Sequence, residues 1–296
     1  MNGLSSSSPA ELVDQPRQHR RVVAWLSWTF VLSLAFAVRL VELVVYSSGS
    51  ELYSYIPLVP IVTGYLLYLR RSTLPRDYGT SGWAAGLLMG LGIAALAAAR
   101  IWRVELGTND SLALDTLAYV SLVVAGGFLF LGSRWMAAAC FPMTFLFFLV
   151  PLPDAIVAAL ESASVAGSAD VSALLFRLTG TPLVREGTMF VLPGIVLEIA
   201  RECSGINSSW VLFIVGLVAS NLLLNRTWSR VALVAFVVPL AIVRNSIRVL
   251  TIGLLCVHVG PHMIDSYLHR RGGPVFFALS LIPLLLLLLW LRRLQR

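Results

Sequence analysis

Long apolar runs recur along the chain, and a short charged or Gly/Pro-containing break separates each run from the next. A helix that crosses a bilayer needs about twenty mainly apolar residues, and runs near that length constrain a fold more than any other sequence feature. Eight candidate membrane spans can be placed: residues 22–47, 55–69, 83–99, 117–131, 136–152, 204–224, 231–250 and 275–291. We therefore expect a polytopic protein of about eight transmembrane helices.

The overall composition agrees with this interpretation. Hydrophobic residues make up 58% of the chain, charged residues only 12%, and the mean hydropathy is +0.84. These values are typical of an integral, all-α membrane protein. The first apolar run is too long for a signal-peptide core, so we expect it to be retained as a span after a polar tail, residues 1–21. The remaining residues, 22–296, are expected to form a single membrane domain.

The arginines predict the orientation of the chain. All 22 positive residues are arginine, and the net charge is +7. If the N-terminus is cytoplasmic, the segments on that side hold twelve arginines and three acids, whereas the outer segments are slightly acidic. The positive-inside rule therefore predicts that both termini lie in the cytoplasm, with the protein in the cell's inner membrane. The net positive charge is explained by the arginines on the cytoplasmic side of the membrane. No cluster of basic residues indicates a nucleic-acid partner.

One long segment between spans, residues 153–203, is predicted to form a roof over the outer face. Residues 154–178 mix apolar and polar side chains, which suits one or two amphipathic helices. Residues 183–199 contain two short apolar runs around a Pro193-Gly194 pair, which predicts a β-hairpin. Such a hairpin would deliver the chain to the mouth of the sixth span.

Cys203 stands where the sixth span begins. The first turn of a helix presents unpaired N–H groups and a partial positive charge, and both favour a thiolate over a thiol. A thiolate at this position is a candidate nucleophile. The other two cysteines, Cys140 and Cys256, lie inside apolar runs and are interpreted as small buried hydrophobes. The spacing of the three cysteines indicates neither a disulfide framework nor a metal site, and no cofactor is predicted.

Arg248 and His269 follow in the chain and are both predicted near the outer face. Thiolate attack on a carbonyl needs a group that moves protons and a fixed cation that stabilises the thiolate or the oxyanion. Each residue also has a simpler explanation, since an arginine near the end of a span often snorkels and a loop histidine is often only solvated. His258 and His262 are rivals of His269, and position alone does not choose among them.

At these residues the sequence resembles the exosortase/archaeosortase family of multi-pass, cysteine transpeptidase-like membrane enzymes. The resemblance lies in Cys203-Ser204-Gly205, in the Asn245-x-x-Arg248 element, and in the series His269, Gly273 and Phe277. It covers roughly the C-terminal half well. It implies that Cys203 is the nucleophile with Arg248 and His269 as partners, and that Ser204, Gly205, Asn245 and Gly273 support the site.

The resemblance also implies a substrate class. Such enzymes are thought to recognise exported proteins that end in a short motif, commonly Pro-Glu-Pro, then a transmembrane helix and a basic tail. Cleavage near the motif would release a protein that a glycan or lipid-linked acceptor at the cell surface can take up. One departure is Asn207, where the family often has arginine; Arg201 is a candidate to replace that charge.

A second hypothesis comes from a different class of protein. The same polar residues would suit a non-catalytic binding or export component linked to exopolysaccharide assembly, in which they hold a headgroup or a lipid-linked sugar. A binding site would tolerate Cys203→Ser far better than a nucleophile would. Classical transport is less favoured, because the two halves show no obvious repeat.

Overall fold

The structure is a computed structural model that describes residues 9–75, 79–199, 205–266 and 272–295. Helices dominate these ranges, and one small sheet accompanies them. The prediction of an all-α polytopic membrane protein is confirmed. The contacts group into two compact units, Met1–Asp154 and Ala155–Arg296.

The first unit contains seven α-helices and a short 3-10 helix within the described ranges. They are α1 (Pro9–Ala35), α2 (Ala37–Ser48), α3 (Leu58–Arg70), α4 (Gly82–Ile101), α5 (Thr108–Phe130), α6 (Ser133–Ala138), α7 (Cys140–Phe145) and the 3-10 helix Leu146–Leu149. Helix α5 lies at the centre, with α4, α1 and α2 packed around it. Its small buried residues allow close approach: a Cβ on Gly126 would lie 2.4 Å from the Trp28 ring. Trp28 in turn donates its indole N–H to the Leu122 carbonyl at 3.0 Å.

The first predicted span is helical but bent. Helices α1 and α2 meet at an angle of 73°, and Phe36 between them leaves helical geometry with φ −96° and ψ 8°. Just before the bend, the hydroxyls of Thr29 and Ser33 donate to carbonyls four residues back at 2.9 and 2.8 Å. Side-chain bonds of this type bend helices, which gives a physical cause for the break.

Two other predicted spans are shorter or interrupted. Within residues 55–69 the helix α3 has 13 residues, because the chain forms turns up to Pro57 before the helix begins. Within 136–152 the chain divides into short helices, with a break at Ala139 and Pro142 in the first turn of α7. Proline lacks a backbone N–H and is best tolerated in the first turn of a helix, so it favours such interruptions.

The second unit contains four α-helices, three strands and a 3-10 helix within the described ranges. They are α8 (Asp154–Leu178), β1 (Val184–Glu186), β2 (Met189–Leu192), β3 (Ile195–Glu198), α9 (Ile206–Leu223), α10 (Thr227–His258), the 3-10 helix Pro261–Asp265 and α11 (Gly273–Arg293). The long helix α10 contacts both α9 and α11. Leu212, Leu233 and Leu288, one from each of these three helices, share one buried apolar cluster.

The roof prediction is confirmed in its secondary structure. Strands β2 and β3 pair antiparallel with Leu192 opposite Ile195, so Pro193 and Gly194 form the two-residue turn, and Gly194 takes φ +83°. Strand β1 adds a third strand on the other side of β2. The predicted helical part is one continuous helix, α8. Phe176 of α8 and Phe190 of β2 are fully buried with ring centroids 6.0 Å apart, so helix and sheet share one core.

Five helices are long and apolar enough to cross a membrane: α4, α5, α9, α10 and α11. Two bent pairs, Arg20–Ala35 with Ala37–Ser48 and Cys140–Leu149 with Asp154–Leu178, would raise the number to seven if each pair is one span. The described residues thus hold five to seven candidate spans, close to the eight predicted. The chain is a multi-pass membrane protein.

Candidate active site

Gly205 opens the best-defined part of the candidate site. It precedes α9 directly and has φ +67° and ψ 14°, a left-handed conformation that glycine adopts without steric cost. Its carbonyl accepts the Ser209 backbone N–H at 3.0 Å and the Ser209 hydroxyl at 2.7 Å. The Ser208 hydroxyl donates to it at 3.1 Å. The first turn of α9 is therefore fixed by several bonds that meet at one carbonyl.

Arg244 reaches this turn from the neighbouring helix α10. Its Nη2 donates to the Gly205 carbonyl and to the Ser209 hydroxyl oxygen, each at 2.9 Å. The side chain is 7% exposed, and Nη1 has no hydrogen-bond partner among the described residues. A buried guanidinium in an apolar helix is expensive, and such groups usually mark functional positions. Arg244 lies against the same turn of α9 that carries Asn207.

Asn245 and Ser246 connect this part of α10 to helix α8. Asn245 Nδ2 donates to the Ser168 hydroxyl at 3.1 Å, and the Ser246 hydroxyl donates to the Ser168 carbonyl at 3.1 Å. All three residues are almost fully buried. Buried polar groups need such partners, and these bonds fix the register of α8 on α10. A Cβ on Gly205 would lie 3.2 Å from Asn245 Oδ1, so the amide also adjoins the turn.

Arg248 lies one helical turn beyond Arg244 and is half-buried. It lines a small cavity of about 30 Å³ together with Asn245 on α10 and with Glu198 and Ile199 at the end of strand β3. A cavity of this size holds about one water molecule. The guanidinium is thus placed beside the last described residue before the segment that contains Cys203.

The described residues on the two sides of Cys203 therefore both border one stretch of α10. Ile199, four residues before the cysteine, lies beside Arg248, and Gly205, two residues after it, lies beside Arg244 and Asn245. Cys203 itself falls outside the described residues, and so does Ser204. Strand β3 and the start of α9 thus border adjacent turns of α10.

The other predicted site residues fall into three groups: residues that lie close together, one without a close contact, and residues outside the described ranges. Gly205 lies beside Asn245, and Asn245 and Arg248 line the same cavity, while their roles in a site stay a prediction. Gly273 begins α11, and among the described residues outside its own helix backbone no heavy atom lies within 4 Å of the position its Cβ would take. His269 falls outside the described residues, as does Arg201.

The rival histidines and the other cysteines are described. His258 and His262, near the end of α10 and in the 3-10 helix after it, are exposed. Cys256 is buried, as predicted, but Cys140 is exposed in the isolated chain. Cys140 Sγ lies 3.9 Å from the Thr144 hydroxyl, so the exposed thiol has a polar neighbour on the same helix. Within the described ranges, no three His, Cys, Asp or Glu side chains come together as a metal-binding group.

Arg244 is the site residue that sequence reasoning missed. A usable signal existed, because an arginine four residues before Arg248 lies on the same face of a helix and inside an apolar run. The motif resemblance gave that position no role, and the arginine was therefore not considered.

Comparison with known proteins agrees with the motif resemblance. The family model for transmembrane exosortase (Exosortase_EpsH) matches residues 46–286. Comparisons with curated proteins and with solved structures found no match. The match covers most of both compact units, including every residue of the site described above. The chain therefore belongs to the transmembrane exosortase family, a family of membrane protein-sorting enzymes.

Proposed function

We propose that the protein is a membrane-embedded cysteine protease/transpeptidase that cleaves the C-terminal sorting signal of exported proteins. The signal is a Pro-Glu-Pro-type motif followed by a transmembrane helix and a basic tail. Family membership supports the general role in protein sorting. The observation that carries the specific proposal is the position of residues 199 and 205, which flank Cys203 and both border the Arg244–Arg248 stretch of α10.

The proposed reaction follows from the groups around that segment. The Cys203 thiolate attacks the scissile carbonyl, His269 donates a proton to the leaving amine, and a thioester joins the substrate to the enzyme. An amine of an acceptor or a water molecule then attacks the thioester and releases the thiolate. Arg248 remains charged throughout and suits stabilisation of the thiolate or the oxyanion. We place the site at the outer face of the inner membrane, where exported substrates and a glycan or lipid-linked acceptor are available.

Processing of a reporter protein tests this proposal. A reporter with the C-terminal signal is co-expressed with the native enzyme or with Cys203→Ala or Cys203→Ser at matched membrane abundance, and its size is followed on a gel. We expect both variants to lose processing. Cys256→Ala is the matched control, because that thiol is buried elsewhere in the same unit and should be dispensable.

The alternative function makes the opposite prediction for the serine variant. A binding or export component of exopolysaccharide assembly would keep its function in Cys203→Ser, because serine is nearly isosteric with cysteine. Processing retained in either Cys203 variant would remove the nucleophile and favour this alternative. Arg248→Ala adds an independent test, since we expect it to abolish turnover while Arg248→Lys retains part of it through the remaining charge.

A further inference from the structure

Two serines lie on the buried face of α8 and differ in their surroundings. Ser168 and Ser172 are one helical turn apart, and both are fully buried. Around them α8 contributes apolar side chains, with Val165 and Phe176 in the cluster that includes the sheet. A hydroxyl in such a place is unfavourable unless it has a hydrogen-bond partner. Among the described residues the Ser168 hydroxyl has such a partner, whereas the Ser172 hydroxyl has none.

Ser168 accepts hydrogen bonds from two successive residues of α10. Its hydroxyl oxygen accepts Asn245 Nδ2–H at 3.1 Å, and its carbonyl accepts the Ser246 hydroxyl at 3.1 Å. Successive side chains of a helix point about 100° apart, so two bonds to one residue of α8 fix the position of α10 both along and around its axis. The bond to the hydroxyl is made by the side chain of Asn245, and it therefore also sets how the amide of that side chain is turned.

The other end of the Asn245 amide faces the turn that starts α9. A Cβ on Gly205 would lie 3.2 Å from Asn245 Oδ1 and 3.5 Å from Asn245 Cγ, so the oxygen is the amide atom nearest to the turn. An acceptor oxygen suits the start of a helix, where backbone N–H groups have no partner within the helix. The torsion that turns an asparagine amide has broad minima, so the amide depends on a partner to keep one orientation. With Nδ2 bonded to Ser168, the amide links α8 to the backbone two residues after Cys203.

We propose that Ser168 is a positioning residue of the candidate active site. By bonding the Asn245 amide, its hydroxyl keeps the oxygen of that amide against the Gly205 turn and so fixes where the chain that carries Cys203 enters α9. The inference rests on the proposed function and assigns to it a residue of α8, a helix that contributes none of the predicted site residues. Ser168 acts only through Asn245, so it affects the rate of the chemical step and not the binding of the substrate.

Enzyme kinetics of two alanine variants test this role. Purified enzyme in detergent is given increasing amounts of the reporter, and kcat and KM are measured for Ser168→Ala and for Ser172→Ala. We expect Ser168→Ala to lower kcat about tenfold with KM unchanged, the effect typical of one lost buried hydrogen bond. Ser172→Ala should keep the native kcat and KM, because its hydroxyl has no partner among the described residues. Equal kinetics of the two variants would overturn the proposal.

Two further comparisons separate positioning from a general loss of packing. Threonine and valine have nearly the same shape and differ in the hydroxyl, so kcat in Ser168→Thr should exceed kcat in Ser168→Val at least about fivefold. In the Asn245→Ala background Ser168→Ala should lower kcat by less than about twofold, because the amide through which it acts is gone. Equal kcat values in the threonine and valine variants, or a further tenfold loss in the double variant, would contradict the proposal.

Alkylation of Cys203 gives a readout that needs no substrate. The start of a helix favours the reactive thiolate, so a displaced Gly205 turn should slow the reaction of Cys203 with iodoacetamide. Mass spectrometry of the peptides should show a rate at least about threefold lower in Ser168→Ala than in Ser172→Ala, with the rate at the exposed Cys140 unchanged. An equal or faster rate at Cys203 would refute the positioning role, whether or not the reporter is processed. Slower alkylation in Ser168→Ala together with processing in the Cys203 variants would refute the proposed nucleophile alone.

Discussion

At the scale of single residues, Gly205 is the position where backbone conformation and site geometry depend on each other most directly. Its φ of +67° is accessible to glycine, and a Cβ here would lie only 3.0 Å from Arg244 Nη2 and 3.2 Å from Asn245 Oδ1. The side chains that surround it fix the start of α9, so the conformation of this residue determines where the chain that follows Cys203 enters the helix.

We expect Gly205→Ala to impair activity strongly. The left-handed conformation costs a non-glycine residue about 1–2 kcal/mol. In addition, the new Cβ would lie 3.0 Å from Arg244 Nη2. The turn should shift, and reporter processing should fall about tenfold or more. Gly90→Ala in α4 is the control, because its Cβ would meet no atom within 4 Å and alanine favours helix. Native processing in Gly205→Ala would show that this turn does not position the site.

A buried ion pair in the first unit gives a prediction about stability. Arg39 bonds Glu42 at 2.6 Å, as their spacing predicts, and its Nε also lies 3.0 Å from Asp115 Oδ2 of α5. The second contact is an ion pair without the alignment of a hydrogen bond, and Asp115 is 1% exposed. Arg39→Ala should therefore lower the free energy of unfolding by about 3–5 kcal/mol, since it leaves a carboxylate buried without a counter-ion.

Glu42→Gln provides the contrast for that experiment. Glu42 is 46% exposed, so its loss should change the free energy of unfolding by less than about 1 kcal/mol. Thermal unfolding in detergent measures both variants. Equal effects of the two substitutions would mean that the contact between α2 and α5 does not stabilise the unit.

These contacts show which residue pairings a sequence can predict. Arg39 and Glu42 lie three apart on one helix, and that spacing predicts their contact. Asp115 is distant in the chain and joins the pair only through the packing of α2 on α5, which no local pattern encodes. Arg248 and Asn245 were found by their motif, whereas Arg244 belonged to no motif and was identified from its burial and its bonds to Gly205.

At the scale of secondary-structure elements, the small sheet packs on the second unit through an apolar cluster that includes the Phe176–Phe190 contact. Phe190 of β2 is fully buried against Phe176 of α8. Phe190→Ala should lower the free energy of unfolding by about 3–5 kcal/mol, because it leaves a cavity in this core. Val191→Ala, on the opposite face of the strand and 41% exposed, should have little effect. Faster proteolysis after Arg185 in Phe190→Ala measures the loosening, and an equal rate in both variants would contradict it.

Elements differ in how far their sequences specify them. The hairpin was predictable because Pro193 and Gly194 favour the turn that joins two apolar strands. The breaks in the helices could not be predicted from the sequence. Hydropathy counts apolar residues over a window, whereas the bend after Ser33 follows hydroxyl-to-carbonyl hydrogen bonds and the interruption at Ala139 lies close to Pro142, and apolarity reveals neither. This is why eight apolar runs correspond to five long helices, two bent pairs and one short helix.

At the scale of the whole molecule, the orientation in the membrane is a prediction that the arginine distribution makes. Reporter fusions after Arg230 and after Arg293 should give cytoplasmic signals, and a fusion near Tyr267 should give an external one. A cytoplasmic signal at Tyr267 would separate His269 from Cys203 by the thickness of the membrane. That result would contradict the proposed site even if the family assignment holds.

The central claim is that Cys203 forms a covalent intermediate with its substrate. The most direct measurement is mass spectrometry of the enzyme isolated with the reporter after rapid acid quenching, in the native protein and in His269→Ala. In the native protein we predict a thioester between Cys203 and the reporter's new C-terminus that hydroxylamine removes. We predict less of it in His269→Ala, which lacks the proton donor for the leaving amine, and none in Cys203→Ser. Efficient processing without any adduct at Cys203, or an adduct at Cys140 or Cys256 in its place, would contradict the account.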